Sequence, residues 1–393
     1  MDMTLLRFAR AALCCAFAAS LCFTTGAAAP SAVNVALITS KTGLLGVYGN
    51  EYLDGFNVGL AYATHGTGAV NGHTIDVTVT DDAGDPAKAV AAFKNAVGGG
   101  TKIIAGTVWS GIALQLAPLA KENDVLFISG PAATDAVTGA NKNTFRSGRE
   151  TYQDVKTVGA VLGADVRGKH VLVLAQDSAF GQANVAAVKA VLGADGAMVD
   201  QLLVPLSAND FTPFTQKVLD AKPDLLYVAW AGTTGVALFK ALEDSGVENI
   251  TKVVTGLDQR AGFGFYGKDP SKIFFLSHYL AEGSKDQANT YLIDAMKKQG
   301  KMPEIFTNDG FVAAQMIVHA IAASPDDVAK QIAALEGWSF EGPKGQMTIR
   351  AADHAMLQPM FIVQLVGPGN APHPVVLRTL SPQTVAPPVR AFP

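Results

Sequence analysis

Two turns that follow apolar, strand-like runs carry the residue types that bind an anion. The run KIIAG leads into Trp109, Ser110 and Gly111 and then into a helical pattern from Ile112. The serine therefore lies near a helix N-terminus, where free amides and the helix dipole attract negative charge. The run FIS leads into a series of small residues that ends with the hydroxyl of Thr134, and small side chains let backbone amides approach a ligand closely. The alternative interpretation is a helix-capping serine and an ordinary turn.

The other motifs of the chain favour binding over catalysis. GFGFYG at 262–267 has the glycine spacing of a dinucleotide site, but no strand leads directly into it and no helical pattern follows it. There is no G-x-S-x-G nucleophile motif, and the seven histidines are scattered without a chelating pair. We therefore predict that the protein is not an enzyme and has neither a metal site nor a cofactor.

The composition limits the class of protein. At 393 residues the chain can form two or three domains, since single cores stop growing near ~250–300 residues. Apolar residues make up 49% of it, and the formal net charge is −4. Such a balance provides no basic footprint for nucleic acid. The composition predicts a globular protein with no nucleic-acid partner.

The first 28 residues have the pattern of a secretory signal peptide. Arg7 and Arg10 precede an apolar run over 11–23, and small residues lead to a predicted cleavage after Ala28. The run is too short for a membrane span, which needs ~20 residues. A lipid anchor on Cys22 is disfavoured because Leu21 precedes it, where lipoprotein processing requires a small residue. The mature protein is therefore predicted to be periplasmic and free of cysteine, since the segment contains Cys14, Cys15 and Cys22.

From Val33 onward, short β-branched runs alternate with longer helical patterns. The first series contains VNVALIT, TIDVTVT, KIIAG and VLFIS, and one of its helices begins with Asp85 as N-cap and Pro86 at the first position. A second series after Thr151 contains HVLVLAQ, MVDQLLV, DLLYVAW and KVVTG. Strands that alternate with helices form parallel sheets with right-handed crossovers. The predicted fold is α/β, with two doubly wound parallel-sheet lobes.

The remainder of the chain predicts a hinge between these lobes. Three helical patterns follow the strand IFFLS (273–277) and supply helices that the first lobe lacks. We expect the chain to return to the second lobe near Lys344, where MTIR and MFIVQLV have strand patterns, and to end in a Pro-rich segment from Pro368. The predicted division is a signal peptide over 1–28, an N-terminal lobe of 29–148 plus 278–343, and a C-terminal lobe of 149–277 plus 344–393. Three crossings make a hinge with a cleft between the lobes.

The order of these motifs resembles the periplasmic solute-binding proteins of the leucine, isoleucine and valine import family, which have the type I periplasmic binding protein fold. The resemblance covers essentially the whole mature chain. It is carried by TGLLGVYGNEYLDGFNVGLAY, GTVWSGIALQLAP, SGPAATD, AQDSAFGQ and EGPKGQMTIRAADHAMLQPMFI. It implies a monomer that binds a small solute between its lobes without a cofactor. It also implies a partner, the membrane permease of an ABC importer.

The two turns and the resemblance together predict a ligand site. By similarity, Ser110 and Thr134 hold the ligand carboxylate with the adjacent backbone, and Asp258 pairs with the ammonium of an amino acid. Aromatic side chains from both lobes enclose the remainder of the ligand. The predicted ligand-binding residues are Tyr48, Trp109, Ser110, Gly111, Ala132, Thr134, Phe180, Trp230 and Asp258.

The chain departs from the family pattern at two aromatic positions. Phe180 replaces a tyrosine and Trp109 replaces a small residue. Together with Tyr48 and Trp230, they would form an aromatic-walled site. Alternatively, these side chains pack in the cores of the lobes. Two interpretations of Asp258 also stay open, because Arg260 lies two residues away and could pair with it at the surface.

The predicted function is that of a substrate-binding protein of an ABC transporter. It would bind a small carboxylate-bearing solute in the cleft, most simply a branched-chain or other apolar amino acid, and deliver it to the permease. An aromatic acid is the alternative ligand. A second alternative is a ligand-sensing receptor module, which is disfavoured because no further apolar 18-residue run follows the lobes.

Overall fold

The computed structural model of the chain describes residues 32–368 and 371–393. The predicted signal peptide over residues 1–28 lies outside them. None of the described helices is both long and apolar enough to cross a membrane.

The first sheet is built from the β-branched runs at the start of the mature chain. Within the described residues it contains β1 (Ala32–Thr39), β2 (Ala69–Val70), β3 (His73–Asp81), β4 (Ile103–Gly106), β5 (Leu126–Ser129) and β6 (Thr144–Arg146), in the spatial order β2-β3-β1-β4-β5-β6. Neighbours are parallel except β2 and β3. The connecting helices are α1 (Gly46–Ala63), α2 (Pro86–Gly98) and α3 (Ser110–Glu122). As predicted, Asp85 caps α2, and its carboxylate accepts hydrogen bonds from the amides of Ala87 and Lys88.

The second sheet begins after α4 (Thr151–Leu162) and is formed in the same way. Its parallel strands are β7 (His170–Gln176), β8 (Met198–Val204), β9 (Leu225–Ala229), β10 (Lys252–Gly256) and β11 (Ile273–Ser277). Helices α5 (Ala179–Val188), α6 (Thr212–Ala221) and α7 (Gly235–Asp244) connect the first four. Apolar clusters cover both faces of this sheet, as parallel strands require.

After β11 the chain returns to the first lobe as α8 (Gln287–Lys298), α9 (Thr307–Ala323) and α10 (Val328–Leu335). Helix α9 lies very close to α1 because glycines form the contact. A Cβ atom on Gly55 would lie 1.9 Å from the carbonyl oxygen of Thr307, and one on Gly310 would lie 1.9 Å from that of Tyr52. The two helices therefore form one close-packed unit, and α1 carries Tyr48 at its start.

A small antiparallel sheet of β12 (Ser339–Gly342), β13 (Gly345–Ile349) and β14 (Met356–Leu357) stays with the first lobe. Met347, Ile349 and Met356 are buried in the same apolar cluster as Phe56 of α1. The third passage between the lobes therefore follows β14, and it does not lie near Lys344 as predicted. The predicted strand MTIR belongs to the first lobe because its apolar side chains are buried in the core of that lobe.

The last two strands complete the second sheet. β15 (Met360–Val366) is antiparallel to β11, and β16 (His373–Leu380) is antiparallel to β15, so the predicted Pro-rich end contains a strand. The order of this sheet is β16-β15-β11-β10-β9-β7-β8. The tail beyond it leaves the second lobe: the Arg390 amide donates to Asp353 (2.9 Å), and its side chain donates to the carbonyl oxygen of Asp135 (2.5 Å).

Candidate functional site

A cavity of about 100 Å³ lies between the lobes, where strands of both sheets reach their carboxyl ends. Its first-lobe wall comes from the start of α1, the segments after β4 and β5, and the segment before α9. Its second-lobe wall comes from the segments after β7, β9 and β10. The predicted site residues that line it are Tyr48, Trp109, Ser110, Gly111, Phe180, Trp230 and Asp258.

Helix α3 begins at Ser110, two positions before Ile112, where the sequence pattern predicted its start. Its Oγ accepts a hydrogen bond from the amide of Thr134 at 3.2 Å, so the two strand-end turns are joined to each other. Because Oγ accepts this bond, the hydroxyl proton remains free to be donated to another acceptor. The amides of Ser110 and Gly111 belong to the first helical turn and have no acceptor within the helix. This corner of the cavity therefore presents donors to an anion.

The second turn contributes Pro131 and Ala133 to the cavity wall, and not the predicted Ala132 and Thr134. The carbonyl oxygen of Thr134 accepts a hydrogen bond from Arg146 (2.8 Å), behind the wall. Pro131 and Ala133 thus line the cavity, whereas the carbonyl oxygens of Ala132 and Thr134 accept hydrogen bonds from Arg146 behind it. Residue type alone did not indicate which pair would face inward.

Tyr48 and Asp258 join the two lobes across the cavity. The Tyr48 hydroxyl lies 3.1 Å and 2.9 Å from the two carboxylate oxygens of Asp258, and it accepts a hydrogen bond from the amide of Gly232 (2.9 Å). The amide of Gln259 also donates to Asp258 (2.9 Å). These neutral donors orient the carboxylate at the cavity wall.

Asp258 has no cationic partner within 4.0 Å among the residues that the structure describes. Arg260, which lies two residues from Asp258, pairs instead with Glu282: its Nη2 is 2.6 Å from Oε2 of that carboxylate. Burial raises the pKa of Asp258, although the Tyr48 hydrogen bond acts in the opposite direction. A cation brought into the cavity would stabilise the ionised form.

Aromatic side chains from both lobes line the cavity. Tyr48 packs on Phe306 with ring centroids 4.7 Å apart. Trp230 lies edge-on to Phe211, and its Nε1 donates to the hydroxyl of Thr234 at 3.1 Å. Trp109 lines the cavity and also packs against two apolar clusters. The aromatic residues therefore both border the ligand space and pack against neighbours.

A charged pair in the wall was not predicted. Arg149 lies in the first passage between the lobes, and its Nε is 3.3 Å from a carboxylate oxygen of Asp154. Its Nη1 donates to the carbonyl oxygen of Pro131 at 3.1 Å, and its guanidinium lies 5.7 Å from the centroid of the Phe306 ring. Burial raises the pKa of Asp154 to about 6, against the opposing effect of Arg149. Sequence patterns locate strand ends well, but they do not show which residues of a crossing segment face the cleft.

His278, in the second passage, is also a wall residue that the sequence did not single out. Its ring is buried, and its Nε2 has no hydrogen-bond partner within the described part of the chain. Burial and the positive charge of Arg149 lower the pKa of His278 well below its usual value, so the ring is neutral. Groups of acidic, histidine and cysteine residues that could hold a metal ion are absent from the described residues.

Two more carboxylates lie where the lobes meet beside Asp258. Glu51 accepts a hydrogen bond from the Gln259 side chain, and Glu304 accepts one from the Arg260 amide at 3.1 Å. Both bonds join the first lobe to the second. Burial, and then the charge of Glu304, raise the pKa of Glu51 well above its usual value, and burial raises that of Glu304 to about 7. The cleft is therefore closed at this edge by carboxylates that are costly to ionise.

Comparison with known proteins places the chain among transport proteins. A sequence model of a family described as periplasmic binding protein matches residues 32–370. The Leu/Ile/Val-binding protein homolog 3 of Brucella melitensis is 26% identical over 339 residues, which is 85% of this chain and 90% of that protein.

Two solved structures from Rhodopseudomonas palustris have the same fold. An ABC-type branched-chain amino acid transporter is 32% identical, with a TM-score of 0.77, and the match covers 92% of this chain and 100% of that one. A solute-binding protein of an ABC transporter in complex with 4-hydroxybenzoate has a TM-score of 0.80 over 89% of this chain and 97% of that one. At 20% identity, the second comparison shows the fold alone.

Proposed function

The chain belongs to the periplasmic binding protein family, and on that premise we propose that it is the solute-binding component of an ABC importer. It binds a small apolar amino acid between its lobes and delivers it to the membrane permease. The observation that carries the proposal is Asp258, a half-buried carboxylate at the cavity wall that accepts hydrogen bonds but has no cation within 4.0 Å among the described residues. The protein acts as a monomer and catalyses no reaction.

An α-ammonium group is the ligand feature that fits Asp258. In a closed cleft an ionised carboxylate without a counter-charge costs several kcal/mol, and a bound ammonium removes that cost. The hydroxyl of Tyr48 already holds the carboxylate from the opposite lobe. A ligand ammonium at this point therefore contacts both lobes and favours the closed form.

The carboxylate of the same ligand fits the corner at Ser110. The free hydroxyl proton of Ser110 and the first amides of α3 are donors to an anion. The cavity of about 100 Å³ suits an amino-acid-sized solute better than a drug-sized one, whose sites occupy about 300–1,000 Å³. The similar transporter of R. palustris is described as acting on branched-chain amino acids, which agrees with this assignment.

An aromatic acid is the second candidate ligand, because of the wall formed by Trp109, Phe180 and Trp230. A flat ring would stack against these side chains. The fold neighbour with 4-hydroxybenzoate carries such a ligand. Asp258 opposes this candidate, since an aromatic acid brings no cation to it.

Calorimetric titration of the ligand-free protein tests the proposal. The panel contains leucine, valine, phenylalanine, phenylpyruvate and 4-hydroxybenzoate, with thermal unfolding as a second readout. A ligand at a hundredfold excess over its Kd stabilises the fold by about 2.7 kcal/mol. Binding of leucine, valine or phenylalanine is expected. Binding of the two acids alone would favour the second candidate, and binding of none would contradict both.

The location follows from the family and from the predicted signal peptide. We propose that residues 1–28 are removed on export and that the mature protein is free in the periplasm. Mass spectrometry of the fraction released by mild outer-membrane disruption measures the N-terminus. A retained N-terminus or a lipid-modified Cys22 would contradict the proposal.

A further inference from the structure

Arg149 is a buried arginine with unused hydrogen-bonding capacity at the ligand cavity. It is 8% exposed and lines the cavity. Its Nε is engaged by Asp154 and its Nη1 by the carbonyl oxygen of Pro131. No hydrogen bond of the described residues uses Nη2, although a guanidinium carries five N–H donors. Part of the guanidinium is therefore available to a ligand.

The guanidinium lies beside the corner where the ligand carboxylate is proposed to bind. Pro131, its partner, is in the same turn as Ala133, and that turn is joined to Ser110 through the amide of Thr134. All of these residues except Thr134 line the cavity. The donors at Ser110 are neutral, and among the described residues that line the cavity Arg149 is the arginine or lysine placed to complete an anion site.

We infer that Arg149 is the counter-charge of the ligand carboxylate, and that Asp154 competes with the ligand for the guanidinium. This inference rests on the proposed function, because it requires a carboxylate ligand in the cavity. The bond to Asp154 is long, with Nε 3.4 Å from Oδ1 and 3.3 Å from Oδ2. An incoming carboxylate can bind Nη2 without displacing Asp154 from Nε, but the two anions then compete for the single positive charge of the guanidinium.

The surrounding charges set the balance of this competition. Burial raises the pKa of Asp154, Arg149 and Lys344 act in the opposite direction, and the charge of Asp135 raises it further. Lys344 is itself buried, and its Nζ donates to the carbonyl oxygen of His278. His278 is neutral in this environment. Asp154 is thus the carboxylate in direct contact with Arg149, and its charge limits how strongly the arginine attracts a ligand.

The inference predicts opposite effects for the two members of the pair. In Arg149→Gln, the affinity for L-leucine should fall about ten- to a hundredfold, the loss expected for a hydrogen bond to a charged group. In Asp154→Asn, the freed guanidinium should bind L-leucine more tightly than in the wild type. L-Leucinamide, which keeps the ammonium but has no carboxylate, should bind both variants as it binds the wild type. A purely structural pair would weaken both ligands in both variants.

Two further variants keep the test decisive if Arg149→Gln folds poorly. The double variant Arg149→Gln/Asp154→Asn removes both buried charges and should show the same selective loss of L-leucine. Arg149→Lys keeps the charge and should retain more affinity than the glutamine variant. Circular dichroism and thermal unfolding verify that each variant is folded.

The outcomes separate this inference from the proposed function. If the wild type binds L-leucine or phenylpyruvate and the folded glutamine variants bind them equally well, Arg149 does not contact the carboxylate and only the inference fails. If the wild type binds no carboxylate of the titration panel, the proposed function fails and the inference fails with it. Weaker binding of L-leucine to Asp154→Asn would also contradict the competition.

Discussion

Replacing Asp258 with asparagine changes the charge at the second-lobe wall while keeping its shape. The amide oxygen of asparagine can still accept hydrogen bonds from the Tyr48 hydroxyl and the Gln259 amide, which lie 2.9 Å from the carboxylate in the native protein. The link between the lobes should therefore survive. The change removes the counter-charge that we propose for the ligand ammonium.

The size of the effect follows from the isolation of this carboxylate. Breaking a buried ion pair costs about 3–5 kcal/mol, because the remaining charge is left uncompensated. No other described cation or anion contacts the Asp258 carboxylate to share that cost. At 1.4 kcal/mol per tenfold, the Kd for leucine should rise about a hundredfold to a few thousandfold. Phenylpyruvate, which has no ammonium, should bind the variant at least as well as it binds the wild type.

Calorimetric titration of both proteins with leucine, phenylalanine and phenylpyruvate measures this change. Asp258→Asn should lower the preference for amino acids over the keto acid, because the same carboxylate attracts one ligand class and repels the other. Unfolding temperatures without ligand serve as the folding control. A wild-type preference for phenylpyruvate, together with no loss in the variant, would refute the reasoning.

Four further outcomes are expected. Tyr48→Phe removes the hydroxyl that joins the lobes, so amino-acid affinity should fall roughly tenfold in calorimetry; unchanged affinity would show that the link is dispensable. Ser110→Ala should weaken carboxylate ligands by about ten- to a hundredfold, whereas Thr134→Val, whose side chain is outside the wall, should bind normally; the reverse pattern would restore the threonine to the site. Burial raises the pKa of Glu304 from 4.5 to about 7, so stability present below pH 4.5 is lost as the pH rises through that interval. Glu304→Gln should therefore raise the unfolding temperature at pH 8 and leave it unchanged near pH 4, and an equal effect at both would contradict this cause. Saturating ligand should reduce the radius of gyration in X-ray scattering, and an identical radius would argue against hinge closure.

The sequence predicted the fold well because alternation between strand and helix depends on local periodicity. The capped start of α2 at Asp85 and the buried strands of both sheets were predicted from such patterns. The predicted position of the third passage was wrong, because the strand MTIR has the same alternation of apolar and polar residues whichever core it joins. Burial of Met347 and Ile349 against Phe56 is a long-range fact that periodicity does not contain.

The candidate site contains both residues that local patterns indicated and residues that they did not. Ser110, Trp230 and Asp258 follow strands, and strand ends point to the cleft in a doubly wound sheet. Arg149 and His278 lie in the passages between lobes, where no periodic pattern predicts orientation. The interaction of Arg260 with Glu282 instead of Asp258 also depends on folding, since distant residues compete for each charge.

The close contact between α1 and α9 has a consequence for anyone who wishes to engineer this protein as a biosensor. A Cβ at position 59 would lie 2.6 Å from the backbone of Phe311, and at positions 55 and 310 the nearest backbone atom would be only 1.9 Å away. Mutant libraries that touch these three glycines would lose folded clones before any new ligand could be selected. Randomisation is better confined to Phe180, Trp230 and their neighbours, with a fluorophore attached to the second lobe. The first lobe would then act as a fixed frame against which a dye reports closure.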